Sequence, residues 1–211
     1  MTFIVSAPPH SRAPSSTGSI MWLVAAALLL PAAAGVYYFG PAALGLIVFT
    51  VMIAVLTEAV FQKLAGRPNT IADGSAVVTG LLLALVLPPM LPLWIAAVGA
   101  IAAVGLVKLL FGGLGYNIFN PALAARAILL ASWPVAMTTW VRPFDAVTTA
   151  TPLYLVNKMH ELAPGYWTLF LGNRAGSLGE TCALAILLGA GILLTFGVID
   201  WPAPAAMIGS V

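Results

Sequence analysis

The 211 residues are 62% hydrophobic and only 7% charged, with a net charge of +2, where soluble domains carry about 25% charged residues. A mean hydropathy of +1.07 excludes water as the main solvent, and so small and scattered a positive charge excludes a nucleic-acid surface, which needs a basic patch or stripe. Lipid admits only helices and closed barrels, and no period-2 alternation marks a barrel. The expected class is therefore all-α, a polytopic transmembrane helical bundle partnered by the bilayer.

Residues 1–19 hold His10, Arg12, prolines and serines ahead of any apolar run, unlike a cleavable signal. They are read as an arm before a retained first helix, and residues 20–211 as one transmembrane domain. Ile20 to Phe39 gives a first span, closed by Gly40-Pro41, and Ala42 to Phe61 a second, so the pair forms a tight helical hairpin. A polar connection, residues 64–74, ends in Asp73-Gly74-Ser75, where Asp73 or Ser75 suits a helix cap. The third run, Ala76 to Leu87, is short before Pro88-Pro89; it spans tightly, or it enters and turns back. Leu93 to Leu110 makes a fourth span. Asn120-Pro121 is a cap followed by a first-turn proline, opening a fifth span to about Trp140. Residues 141–178 read as the one sizeable extramembrane loop, and a sixth span follows from about Leu178 to Val198. An apolar run after Asp200-Trp201-Pro202 begins a seventh and stops at Val211, about half of the ~20 residues a span requires. The expectation is a chain continuing beyond this point. Five spans after a cytoplasmic arm with Arg12, with Lys63, Arg67 and Lys108 on the same side, place loop 141–178 outside, and cation bias supports this weakly.

Ionisable groups in or beside spans are functional candidates. Glu58, Lys108 and Glu180 all fall near helix ends, where snorkelling or the helix dipole explains them. Arg126, in the second turn after Pro121, suits either a phosphate contact or snorkelling. Cys182 has no Cys or His neighbours at metal-ligand spacing and reads as a small core hydrophobe. Two distant histidines, His10 and His160, make no metal site.

Two stretches carry chemistry. Asp145-Ala146-Val147-Thr148-Thr149-Ala150-Thr151-Pro152-Leu153 is either a polar turn or an accessible hydroxyl open to phosphoryl modification, with Pro152 biasing Thr151 away from helix. Phe111 to Pro121 is rich in glycine and asparagine, which suits either close approach to a planar ring or phosphate, at Gly113, Gly115, Asn117 and Asn120, or tight helix packing.

The pattern Asp145-x-x-Thr148-x-Ala150-Thr151 resembles the motif at which a flavin transferase attaches FMN to threonine through a phosphoester in the Rnf D and Nqr B subunits. Other blocks agree in order: Ser6 to His10, Asp73 to Ala76 leading through Thr79 to Leu85 and Leu87-Pro88-Pro89, and Gly112 to Ala122. By that resemblance Thr151 carries covalent FMN, segment 112–121 helps hold a flavin, a second and non-covalent one, and loop 141–178 faces the periplasm of a bacterial inner (cytoplasmic) membrane. The family fold has about ten spanning helices, compatible with an inverted repeat, against six and the start of a seventh here. The implied function is a membrane subunit of an ion-translocating electron-transport complex, incomplete as a catalyst alone. It passes electrons coupled to Na⁺ or H⁺ movement, with other Rnf subunits as partners, among them an FMN-bearing one on the same side. The short arm before the first helix favours Rnf D over Nqr B. A small-solute channel built from an inverted repeat is the reading from another class, and the threonine motif argues against it.

Overall fold

The computed structural model describes residues 16–145, 147–149 and 165–210. Helix α1 (Thr17–Phe39) starts where the Ser16 hydroxyl accepts the Ser19 N–H at 3.2 Å. It ends at Gly40, whose φ of 73° breaks the helix before Pro41 opens α2 (Pro41–Leu64). These two are long and apolar enough to cross a bilayer. Four shorter apolar helices follow: α3 (Ser75–Leu85), α4 (Leu93–Ile101, continuing as a π-helix over Ala102–Leu109), α5 (Pro121–Ser132) and α8 (Ala183–Thr195). The remainder is α6 (Pro134–Thr138), a two-stranded hairpin of β1 (Trp140–Val141) and β2 (Thr148–Thr149), α7 (Tyr166–Leu171) and α9 (Pro202–Gly209). The described chain is mostly helical, as expected.

Helix α3 is the centre of the bundle. Its 11 residues rise only about 16 Å, half of the ~30 Å hydrocarbon core, so it is a half-length helix wrapped by others. Leu83, Ala84 and Leu87 are fully buried, against Ala54 of α2, Ala96 and Ala100 of α4 and Leu129 of α5. Small residues allow the close approach that membrane bundles use: a Cβ on Gly80 would lie 2.8 Å from the Val51 Cα. Outward, α1, α2 and α8 expose Leu29, Leu44, Met52, Leu56, Leu187 and Leu188, a surface suited to lipid rather than water.

Two expected boundaries move. The fifth span, expected to reach Trp140, stops at Ser132, because Pro134 disfavours helical backbone at the residue before it and Trp133 takes φ −132°, ψ 61°. The sixth starts at Ala183 rather than Leu178, because residues 172–182 enter the bundle as irregular backbone. There the Leu178 and Gly179 N–H groups donate to the carbonyls of Leu87 (3.2 Å) and Leu85 (2.7 Å), just past and at the end of α3. Glycines admit this segment: a Cβ on Gly35 of α1 would meet the Leu178 carbonyl at 2.8 Å, and one on Gly179 would meet the Leu85 Cβ at 2.8 Å. The end of the expected extramembrane loop is thus bundle interior, where non-helical backbone is tolerated at membrane depth because it is buried in protein.

Candidate functional site

At the end of the bundle where α1 meets α2, the hairpin folds back onto helix α1. Trp140 pairs with Thr149 and Val141 with Thr148, and the Arg142 N–H donates to the Val147 carbonyl at 2.8 Å. Inside the turn, Phe144 has φ 66°, a left-handed conformation that costs a non-glycine residue about 1–3 kcal/mol. It is held there by its N–H on the Tyr38 carbonyl at 3.0 Å and by its ring, 5.7 Å from Tyr37 and 5.5 Å from Tyr38. Tyr38 is fixed in turn by its hydroxyl, which donates to the Leu171 carbonyl at 2.7 Å. A cavity of about 290 Å³ opens beside them, lined by Tyr37, Tyr38, Met90, Arg142 and Phe144 among others. Asp145 and Thr148 are exposed on this hairpin. Ala150 and Thr151 lie outside the described residues.

The glycine-asparagine loop stands at the other end, after α4. Gly112, Gly113 and Gly115 have φ of 121°, 99° and 90°, so glycine is required there by conformation. A Cβ on Gly113 or Gly115 would meet no atom within 4 Å, so packing does not require it. Both asparagines serve the backbone. Asn120 accepts the N–H groups of Ala122 (3.0 Å) and Leu123 (3.3 Å) as the cap of α5. With its amide nitrogen turned inward, Asn117 donates to the carbonyls of Lys108 (3.2 Å) and Gly113 (3.1 Å). Arg126 is partly exposed and lies 3.8 Å from the Glu180 carboxylate.

Near the same end lies a charge cluster that sequence reasoning missed. Lys108 and Glu58 are not interface groups: their side chains are 2% and 1% exposed, and the Lys108 Nζ reaches both Glu58 oxygens, at 2.9 and 3.1 Å. Its third contact is the Ser75 hydroxyl at 2.6 Å, which donates onward to Asp73 Oδ1 at 2.5 Å. On the far side, Gln62 Nε2 bridges Glu58 (3.2 Å) and Thr70 (2.6 Å), and the Thr70 hydroxyl reaches Glu58 Oε1 at 3.3 Å. Lys108 belongs to the π-helical part of α4, where Leu110 N–H bonds to Gly105 and Gly113 N–H to Lys108. The Glu58/Gln62 spacing on α2 hints at a shared face, but nothing in the sequence connects it to a lysine fifty residues later.

The family described as NQR2, RnfD, RnfE matches the chain over residues 4–211. A 45% identical relative from Clostridium ljungdahlii is the D subunit of a proton-translocating ferredoxin:NAD(+) oxidoreductase complex; the match covers 99% of this chain and 67% of the relative. One from Acetobacterium woodii, the D subunit of a Na(+)-translocating ferredoxin:NAD(+) oxidoreductase complex, is 49% identical over 97% of this chain and 66% of its own length. A third, the D subunit of an ion-translocating oxidoreductase complex from Stutzerimonas stutzeri, is 39% identical over 93% and 66%. The chain thus spans about two thirds of the length of these curated relatives.

Proposed function

Because the chain belongs to the NQR2, RnfD, RnfE family and resembles its D subunits along nearly its whole length, we propose that it is the membrane subunit of an ion-translocating oxidoreductase complex and carries FMN covalently on Thr151. The observation that carries this reading is the run Asp145 to Thr151. Its described members suit that role, since Asp145 and Thr148 stand exposed on a hairpin at the bundle's end, where a modifying enzyme can reach them. In the modification, the threonine Oγ–P bond forms as its hydroxyl proton leaves, and the pyrophosphate bond of a flavin–nucleotide donor breaks, releasing the nucleoside monophosphate. Bound FMN supplies electron transfer. The chain itself supplies the tether, the orientation and the electrostatic surroundings.

The six-span arrangement, with the hairpin on the periplasmic face of the inner membrane, belongs to the same reading. So do the other complex subunits, including an FMN-bearing one, and a flavin transferase. A second, non-covalent flavin would use the open backbone at Gly113 and Gly115, since Asn117 and Asn120 are already engaged. The coupling ion is Na⁺ or H⁺, and the two relatives named for different ions are similar to this chain to nearly the same degree.

Expression with and without a flavin transferase tests the reading. A fluorescent band at this polypeptide after denaturing electrophoresis, present only with the transferase, is the expected result. A dark band under both conditions would remove the redox role.

A further inference from the structure

We propose that the cavity between α1 and the hairpin seats the flavin ring; this deepens, and rests on, the assignment of FMN to Thr151. At about 290 Å³ it lies just below the ~300–1,000 Å³ of ligand pockets, a size suited to a ring system whose chain stays outside. Its lining suits such a ring. Tyr37 and Phe144 are 71% and 62% exposed, offering aromatic surface to a further planar partner, and Met90 is an adaptable wall. Arg142 contributes a positive charge, and among the described residues no carboxylate pairs with it. An aromatic girdle at a membrane surface would also place tyrosines here, but a girdle does not require Phe144 to hold a left-handed backbone against Tyr38. Strained residues of this kind gather where a ligand is clamped. Register adds a third argument: Val141 lines the cavity and pairs with Thr148, so the strand leading toward Thr151 leaves from beside it.

Two consequences follow for the chain's own residues. Tyr37 quenches the ring's fluorescence by contact, and Arg142 favours the anionic reduced flavin, which raises its reduction potential. The experiment uses the chain expressed with a flavin transferase and purified in detergent, with Tyr37→Leu, Tyr37→Trp, Arg142→Gln and Arg142→Lys compared with the parent. All should keep the covalent band on denaturing gels. Native fluorescence should rise several-fold in Tyr37→Leu and fall in Tyr37→Trp. The midpoint potential should move to more negative values in Arg142→Gln and stay near the parent in Arg142→Lys. Covalent bands of parental intensity with unchanged native fluorescence and unchanged potential would overturn the seat while leaving Thr151 in place. A parent with no band would instead remove the tether assignment, and the seat with it.

Discussion

At the scale of single residues, three hydroxyls compete for one phosphoester. Thr148, Thr149 and Thr151 lie within four positions, and threonine chemistry does not rank them. Thr148 and Thr149 are strand residues, paired with Val141 and Trp140. Thr151→Val keeps the β-branched shape and deletes the oxygen, so this variant should insert normally and lose the fluorescent band, while Thr148→Val and Thr149→Val retain it. Covalent flavin persisting in Thr151→Val would move the acceptor elsewhere. The buried cluster makes a second residue-scale case. Lysine has three N–H donors, and Lys108 has three acceptors within 3.1 Å: both Glu58 oxygens and the Ser75 hydroxyl. Removing one member of a buried pair strands the other charge, at a cost of about 3–5 kcal/mol, whereas removing both is often far milder. Lys108→Met should therefore lower the melting temperature in detergent markedly, and Glu58→Gln/Lys108→Met should recover most of the loss. The lone, half-buried Cys182 thiol is a convenient reporter of melting through its reactivity. Equal melting of parent and Lys108→Met would mean that the cluster holds nothing together.

At the scale of elements, α3 is stable as a short helix because other helices close on it from several sides, and Gly80 sets how near α2 can come. Gly80→Ala would put a methyl 2.8 Å from the Val51 Cα, which is backbone and does not yield; overpacking of this kind costs about 1–3 kcal/mol. Gly45→Ala on α2 meets nothing within 4 Å and should gain up to ~1 kcal/mol of helix propensity. Opposite signs in thermal melts are the expected pair, and a neutral Gly80→Ala would mean that α2 and α3 are looser than described. The same elements show what a sequence can reveal. Helices α1 and α2 are legible because each is a long apolar run with the Gly40-Pro41 break between them, and the α5 start is legible because Asn120-Pro121 is a local capping signal. Local signals fail elsewhere. Residues 172–182 are apolar enough to be taken for the beginning of a span, and only contacts with Leu85, Leu87 and Gly35 reveal them as irregular backbone. Pro134 is visible in the sequence, but the apolar run around it masks its effect on Trp133. Of the candidate site, the hairpin's hydroxyls are legible as a pattern. Its aromatic cavity is not, because Tyr37, Met90 and Phe144 are brought together only by tertiary packing.

At the scale of the whole molecule, the bundle has two chemically different ends. One carries the C-terminal end of α2 with Lys63 and Arg67, the glycine-asparagine loop and the buried charge cluster. The other carries Tyr37 to Pro41 and the hairpin, tied to α1 by the Phe144 N–H on the Tyr38 carbonyl. Helix α1 runs between these ends, so whichever side of the membrane holds one, the opposite side holds the other. On the proposed topology the α2 end, with Lys63 and Arg67, faces the cytoplasm and the hairpin lies outside, where the proposed flavin attachment requires it; cation bias supports this only weakly, since the hairpin carries Arg142. Accessibility measures this directly. In a Cys182→Ala background, a cysteine at Val147, which is 58% exposed on the hairpin, should react with an impermeant thiol reagent added to intact cells. A cysteine at Ala65, exposed just after α2, should react only once the membrane is permeabilised. The reverse pattern would invert the protein and place the hairpin on the cytoplasmic side. A flavin on Thr151 would then have to exchange electrons there, and the shared face with a second FMN-bearing subunit would be lost.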